Sequence, residues 1–153
     1  MIFALAALGA GASLPACQPS TFSAAEVGRS AAGLEQLPLT ISAGGATHQF
    51  TVEVARTEEE QAYGLMNRNE LAPNRGMIFP FAQVRQASFW MKDTLIPLDI
   101  IFIRADGIIA NIENAVPLSL EPVTSMGPVA AVLEIPGGRS AELGIKPGHK
   151  VTW

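Results

Sequence analysis

The chain has 153 residues, with 14 acidic and 10 basic side chains and a net charge of −4 at pH 7. This length predicts one domain with an ordinary hydrophobic core. The charged fraction is only 16%, and no basic stripe of the kind that follows phosphates is present, which argues against a nucleic-acid partner. The mean hydropathy is +0.27, but no run reaches the roughly 20 apolar residues that a membrane-spanning helix needs.

The first seventeen residues predict export from the cytoplasm. Residues 1–16 are apolar or small, and the first charged side chain is Glu26, as in a secretory signal segment. Cys17 is the only cysteine, so it cannot form an internal disulfide. Its place after Leu14-Pro15-Ala16 resembles a bacterial lipoprotein signal, in which the cysteine is acylated and becomes the mature N-terminus. We therefore expect a periplasmic protein or one anchored to a membrane by lipid at Cys17, with an inert thiol as the alternative.

Residues 18–37 are rich in Ser, Ala, Gly, Thr and Gln and show no clear periodicity. This composition predicts a flexible tether with a typical reach of about 25 Å. A short helix over residues 24–34 is the alternative. The single β-rich domain is then expected to cover residues 38–153.

The domain begins with a predicted hairpin and a predicted helix. Residues 38–43 and 47–55 alternate in polarity on either side of Gly44-Gly45, as the two arms of a hairpin do. Thr57-Glu58-Glu59-Glu60 is a capping box, which predicts a helix from Glu58 to about Met66 or Asn67. We interpret the acidic run as a helix start and not as a metal site.

The densest β pattern lies between residues 88 and 115. Residues 98–103, Leu-Asp-Ile-Ile-Phe-Ile, place apolar side chains on both faces, which is typical of a central strand. Asp106-Gly107 predicts a type I′ turn into a return strand over residues 108–115. Residues 88–91 read as a third strand, so we expect an antiparallel three-stranded meander.

The remaining elements complete a mainly β (α+β) fold. We expect a short strand over residues 77–79, a long loop over 117–128, a strand over 129–135, helical turns over 139–143 and a closing strand over 149–153. Together these predict six or seven strands, mostly antiparallel, curled into a small barrel-like or sandwich sheet with two short helices.

Several segments, in this order, resemble the bacterial and archaeal family called domain of unknown function 192. They are Thr57-Glu-Glu-Glu, Gly64-Leu65-Met66-Asn67-Arg68, Gly76-Met77-Ile78-Phe79, Phe89-Trp90-Met91-Lys92, Ile96-Pro97-Leu98-Asp99-Ile100, Asp106-Gly107, Val132-Leu133-Glu134-Ile135 and Gly144-Ile145-Lys146-Pro147-Gly148. The resemblance spans about residues 39–151. It implies a compact β-rich fold and frequent export, and it implies no catalytic residues. Asp93 stands where relatives commonly have Asn.

Asp99 is the most unusual position in the predicted core. A carboxyl group between Ile101 and Ile103 is costly unless donors hold it. We expect those donors to be Arg68, Lys92 or the amides of residues 93–95. The sequence therefore predicts a ligand-binding groove lined by Arg68, Trp90, Lys92, Thr94 and Asp99. The alternative is a buried acid that only fixes loop geometry.

Other candidate sites are weaker. Trp90 could be a stacking platform for a sugar or a peptide, or it could belong to the core. Four methionines, Met66, Met77, Met91 and Met126, allow a Cu(I) site, but methionine is also a common core residue. We predict no metal and no cofactor, and the sequence has no CxxC, HExxH or phosphate-binding loop.

These observations favour an accessory or ligand-binding module of the cell envelope, with an envelope glycan or peptide as its partner. Membrane contact is expected through the lipid anchor alone, and the chain is expected to be a monomer that binds no nucleic acid. The alternative is a hydrolase or transferase acting on an envelope polymer, with Asp99 as acid or base.

Overall fold

The computed structural model describes residues 28–153. These residues form nine strands and two short helices. The strands are β1 (Gln36–Ala43), β2 (Ala46–Val54), β3 (Arg75–Arg85), β4 (Ser88–Phe89), β5 (Leu98–Ile103), β6 (Ile109–Ala115), β7 (Val123–Thr124), β8 (Val129–Pro136) and β9 (Lys150–Thr152). The helices are α1 (Glu58–Tyr63) and α2 (Arg139–Glu142).

Seven strands form one curled sheet in the order β6-β5-β8-β3-β2-β1-β9, and β4 and β7 form a separate two-stranded sheet. Only the β2–β3 pair is parallel among the pairings of the large sheet. The two edge strands approach each other where Ile109 N donates to His149 O at 2.9 Å and Val151 N donates to Gly107 O at 2.8 Å. The sheet is therefore a curled half-barrel, which confirms the predicted mostly antiparallel β fold.

The curl gives the sheet two apolar faces with different coverings. The concave face carries one core, formed largely by residues of the half-barrel itself, including Ile41, Val52, Ile101 and Leu133. The convex face carries a second core that includes Met77, Phe79, Ile100 and Phe102. Leu65 and Met91, from the loops after α1 and β4, cover this second core. Successive residues of β5 alternate between the two cores because strand side chains point to opposite faces.

Gly44-Gly45 was predicted as a hairpin and Asp106-Gly107 as a type I′ turn, and the structure confirms the first but not the second. Gly44 and Gly45 have φ values of 56° and 92°, so β1 and β2 form a tight hairpin in which Ala43 lies opposite Ala46. At Asp106-Gly107 only Gly107 has a positive φ, of 77°. The turn is wider there, since Arg104 N donates to Ile108 O, and the pairing shifts register beside Ile103.

The predicted meander over residues 88–115 is wrong in one strand. β5 pairs with β6 as expected, but its other neighbour is β8 and not the segment at 88–91. Only Ser88 and Phe89 are extended, and they pair with β7. A strand that is buried on both faces needs a partner at each edge, and the apolar strand β8 supplies it from 30 residues further along the chain.

Several boundaries also differ from the predictions, since β3 spans Arg75–Arg85 where a short strand over residues 77–79 was expected. The capping box at Thr57 is present, but α1 ends at Tyr63 because Gly64 has a φ of 51° and turns the chain. The described residues ahead of Pro38 fold against the domain, with Gln36 N donating to Gly28 O at 2.8 Å and Leu34 packed on the convex core. Residues 28–37 of the predicted tether are therefore packed on the domain, and residues 18–27 lie outside the described residues.

Candidate ligand-binding cleft

Asp99 is fully buried and is held by donors, as predicted, but the donors are different ones. Its Oδ1 accepts from Asn114 Nδ2 at 2.5 Å and from Gly138 N at 2.8 Å, and its Oδ2 accepts from Ser140 N at 2.7 Å. Gly138 is the N-cap residue of α2 and provides no side-chain cap, and Ser140 lies in the first turn of that helix. Asp99 therefore caps α2 from a distant strand and has no exposed surface for a ligand.

Arg68 pairs with Glu53 and not with Asp99. The ion pair joins Arg68 Nη2 to Glu53 Oε2, and the two side chains are 27% and 8% exposed. Glu53 lies in β2 and shares the convex face of the sheet with Met77, its partner in β3. Since Asp99 alternates with Ile100 and lies on the concave side, Arg68 and Asp99 occupy opposite faces of the sheet.

Trp90, Lys92 and Thr94 do lie together, in the loop between β4 and β5. The Lys92 ammonium stands 5.5 Å from the centre of the Trp90 ring. Thr94 is buried, and its Oγ1 donates to Lys92 O at 3.3 Å. The five predicted residues thus do not line one groove. The prediction placed them together because the sequence does not show which face of the sheet each segment covers.

A different cleft brings Trp90 and Thr94 together with residues that the sequence did not single out. It lies on the convex face, between residues 61–66 on one side and Phe89, Trp90 and Thr94 on the other, with Phe79 and Glu134 of the sheet also lining it. About 40 Å³ of this cleft is open to the centres of water-sized molecules. That is room for a small polar group together with one or two waters.

Glu134 is the buried acid of this cleft. It is 5% exposed, and it lies in β8 directly opposite Met77 of β3 and Ile100 of β5. Within residues 28–153 no donor forms a hydrogen bond or an ion pair with its carboxyl group. Burial alone raises the pKa of Glu134 to about 8, because no neighbour compensates for the loss of water around the charged form.

Two other acids occupy the same cross-strand row, which makes the isolation of Glu134 clear. Glu53 lies two strands away on one side and Glu113 two strands away on the other, at about 10 Å each from the usual strand spacing. Glu53 has its partner in Arg68, and Glu113 accepts from Asn111 Nδ2 at 3.0 Å. Glu134 is thus the member of the row without a donor in the described part of the chain.

Aromatic packing fixes one wall of the cleft. The Phe89 ring meets the Phe79 ring edge to face at 5.1 Å between centres, and it meets the Phe102 ring at 6.4 Å. Such pairs are favourable beyond the area they bury. Trp90 follows Phe89 and remains 52% exposed. The strand-to-loop segment therefore presents a rigid inner ring and an accessible outer ring.

Two left-handed residues join the loops on either side of the cleft. Asn67 has a φ of 60° and Asp93 a φ of 54°, and Asn67 N donates to Asp93 O at 2.8 Å. Asn and Asp adopt this conformation more readily than most residues. Asp93 stands where members of the resembled family commonly have Asn, and both residue types can adopt the left-handed conformation that this position needs.

The sequence contained a signal for Glu134 comparable to that for Asp99. Val132-Leu133-Glu134-Ile135 is an apolar strand interrupted by one carboxylate, as Leu98-Asp99-Ile100 is. What the sequence did not contain was the difference between the two acids. The two main-chain donors to Asp99 come from a segment 39–41 residues away, and no donor from residues 28–153 reaches Glu134 in this way.

No group of three or more His, Cys, Asp or Glu side chains within residues 28–153 is arranged to hold a metal ion. The four methionines are not gathered either: Met77 and Met91 are buried in the convex core, whereas Met126 is 76% exposed. The helices in the described part of the chain are too short or too polar to cross a membrane. Cys17 and the predicted signal segment lie outside the described residues.

The chain is similar to two proteins whose crystal structures are known. One is a protein of unknown function from Novosphingobium aromaticivorans, with 48% identity and a TM-score of 0.82, covering 85% of this chain and 94% of that one. The other is a Sinorhizobium meliloti protein proposed to be a transcription regulator, with 40% identity and a TM-score of 0.76, covering 78% of this chain and 94% of that one. A search of curated proteins finds no match.

A family model confirms the resemblance seen in the sequence. The model for domain of unknown function 192, which carries the description "Uncharacterized ACR", matches residues 39–153. That range covers the half-barrel from β1 to β9 together with both helices. The chain belongs to the domain of unknown function 192 family.

Proposed function

We propose that this protein is a ligand-binding accessory module of the cell envelope and that its site is the cleft above Glu134. The observation that carries the proposal is a carboxyl group without a donor in an aromatic cleft. A buried polar group without a partner is costly, and strongly shifted acids in clefts are concentrated at functional sites. The same cost gives a ligand that can hydrogen-bond to Glu134 a source of binding free energy.

The envelope location is supported by the apolar residues 1–16 and by Cys17 after Leu14-Pro15-Ala16. If Cys17 is acylated, each buried CH₂ of the lipid contributes about 0.8 kcal/mol to membrane attachment. Mass spectrometry of the mature protein from membranes tests this part. A lipid-modified Cys17 at the N-terminus supports it, and an unprocessed N-terminus in the cytoplasmic fraction contradicts it.

The binding site is tested with two glutamate variants from one row of the sheet. Glu134→Gln keeps the size of the cleft side chain, and Glu113→Gln makes the same change two strands away, outside the cleft. Small amines, amides, carboxylic acids, sugars and peptides are screened by NMR through the indole signal of Trp90. We expect at least one class to shift that signal in the wild type and in Glu113→Gln, with altered affinity in Glu134→Gln. If no class shifts it, the proposed site is wrong.

The raised pKa of Glu134 favours one alternative, a hydrolase or transferase that acts on an envelope polymer. A carboxyl group with a pKa of about 8 is protonated at neutral pH and can act as a general acid. Asp99, the acid first considered for that role, has no exposed surface and has donors on both oxygens. Turnover of an envelope polymer that Glu134→Gln abolishes and Glu113→Gln retains would favour the enzyme.

The role proposed for the Sinorhizobium meliloti protein is a weaker guide to this chain. The net charge of the present chain is −4, whereas DNA binding depends on basic side chains that neutralise phosphates. A binding module for a small ligand fits the acidic balance better.

A further inference from the structure

We infer that the cleft above Glu134 binds a compact alkylammonium group, such as the amino group of a lysine side chain or of an amino sugar. This inference rests on the proposed function and specifies its ligand class. It follows from the carboxyl group, the aromatic rings and the distribution of positive charge around the cleft.

The carboxyl group of Glu134 favours a ligand that is a strong hydrogen-bond donor. Glu134 is 5% exposed, lines the cleft and has no donor within the described residues. An ammonium group brings three donors and a positive charge. A charge-assisted hydrogen bond to a buried carboxylate is about twice as strong as a neutral one. A cation therefore satisfies Glu134 more fully than a neutral ligand of the same size does.

The aromatic residues around the cleft also favour a cation. Phe79, Phe89 and Trp90 line the cleft, and aromatic faces attract cations through their quadrupole. The Lys92 ammonium lies 5.5 Å from the centre of the Trp90 ring, so this ring already attracts a cation of the chain itself. The small free volume, about 40 Å³, fits the tip of a primary amine better than a branched or aromatic ligand.

The described part of the chain provides no cation inside the cleft. Arg68, the basic side chain of the neighbouring loop, is paired with Glu53. Lys92 is exposed and is not among the residues that line the cleft. Other charged or titratable groups on the surrounding elements are Glu58, Glu59, Glu60 and Tyr63 of α1, Arg75 and Arg85 of β3, Asp93 beside Thr94, Asp99 of β5 and Glu113 of β6, and of these only Tyr63 lines the cleft. The site is therefore acidic and aromatic, and a ligand can provide the positive charge that it lacks.

Binding and proton release are coupled in this site. Because an ammonium pairs with the ionised form of Glu134, it must lower the pKa of the group when it binds, and amine affinity must rise as the pH approaches that pKa. A lysine-type ammonium stays protonated until about pH 10. Between pH 6.5 and pH 8.5 the ionised fraction of a carboxyl group with a pKa of about 8 rises by about 25-fold, and we expect the affinity for such an amine to increase by up to that factor. A neutral ligand that accepts a hydrogen bond from the protonated form of Glu134 would show the opposite trend.

The experiment uses matched pairs of probes that differ only in charge. Nα-acetyl-lysine methylamide is compared with its Nε-acetylated form, and glucosamine at pH 6.5 with N-acetylglucosamine. Binding is followed through the Trp90 indole signal, with the Trp153 indole as an internal reference. The carboxyl signal of Glu134 is titrated with and without saturating amine. The lysine and sugar probes distinguish a peptide source from a glycan source of the same amino group.

We expect the charged member of at least one pair to bind at least tenfold more tightly than its acetylated partner, to lower the pKa of Glu134, and to lose that advantage in Glu134→Gln. Glu113→Gln should behave like the wild type, and it is the control for the loss of one negative charge outside the cleft. Equal binding of charged and neutral probes, or affinity that falls as the pH rises, overturns the ammonium inference but leaves the cleft as a binding site. If no probe of any class shifts the Trp90 signal, both the inference and the proposed function fail.

Discussion

Asp99 and Glu134 are buried acids in neighbouring strands of one sheet, and their surroundings differ completely. Asp99 faces the concave core and accepts three hydrogen bonds, two of them from the start of α2. Glu134 faces the convex side and lines a cleft without a donor from the described chain. Two acids that are buried to a similar degree therefore have different roles. The satisfied acid holds the fold together, whereas the unsatisfied acid is available to a ligand.

Removal of Asp99 should have the largest effect on stability. In Asp99→Ala the donors Asn114, Gly138 and Ser140 lose their acceptor, and two of them are main-chain amides at a helix start. We expect the free energy of unfolding to fall by about 3–5 kcal/mol, from the cost of leaving buried donors unpaired. Urea denaturation followed by circular dichroism measures this change.

Asp93→Asn is the control for that experiment. Asp93 is exposed, and its left-handed conformation suits Asn as well as Asp. The free energy of unfolding of the variant should therefore differ from that of the wild type by less than about 0.5 kcal/mol. A small effect of Asp99→Ala would mean that Asp99 does not hold α2, and the contrast between the two buried acids would disappear.

The pH dependence of Glu134 should give the next largest effect. Its pKa is about 8 in the folded protein, above the ordinary glutamate value of 4.5. The stability associated with its protonated form is therefore complete below about pH 4.5 and is lost as the pH rises towards 8. Relative to Glu134→Gln, the wild type should lose about 1.4 kcal/mol for each pKa unit of the shift.

Urea denaturation of both proteins between pH 5.5 and pH 9 tests this prediction. The difference between wild type and Glu134→Gln isolates the single group, since other carboxylates are common to the two proteins. Parallel stability curves for the two proteins would show that Glu134 is not desolvated as the structure indicates.

Arg68→Met sharpens the comparison, because it turns Glu53 into a second acid without a partner. Glu53 is 7% exposed and shares the cross-strand row with Glu134. We expect a loss of about 1–3 kcal/mol at pH 7, since removing one partner leaves a largely buried charge uncompensated. The Glu53→Gln, Arg68→Met double variant should recover part of that loss. No recovery would mean that Arg68 acts through packing alone.

Asn114→Ala should give the smallest effect. Asn114 is exposed and supplies one of the three donors to Asp99, at 2.5 Å. We expect a loss of about 1 kcal/mol, because water can replace a donor at this edge more easily than it can replace the amides of α2. Thermal unfolding is sufficient to measure it. A loss as large as that of Asp99→Ala would mean that the α2 contacts contribute little.

Local sequence determined much of the fold. The Gly44-Gly45 hairpin, the capping box at Thr57, the strand over residues 98–103 and the turns over 139–142 were all predicted from patterns within about ten residues. Hydrophobic periodicity, capping and turn chemistry act over that distance. The family was visible as well, because its motifs occur in a fixed order along the chain.

The tertiary structure alone decided which acid is satisfied and which residues share a cleft. Pairing of β5 with β8 brings Ile135 opposite Asp99 and Glu134 opposite Ile100, so the two acids lie on opposite faces. The donors to Asp99 come from α2 and from β6, and the walls around Glu134 come from α1 and from the loop after β4. These contacts join segments tens of residues apart, and single-sequence periodicity carries no information about which distant segments meet.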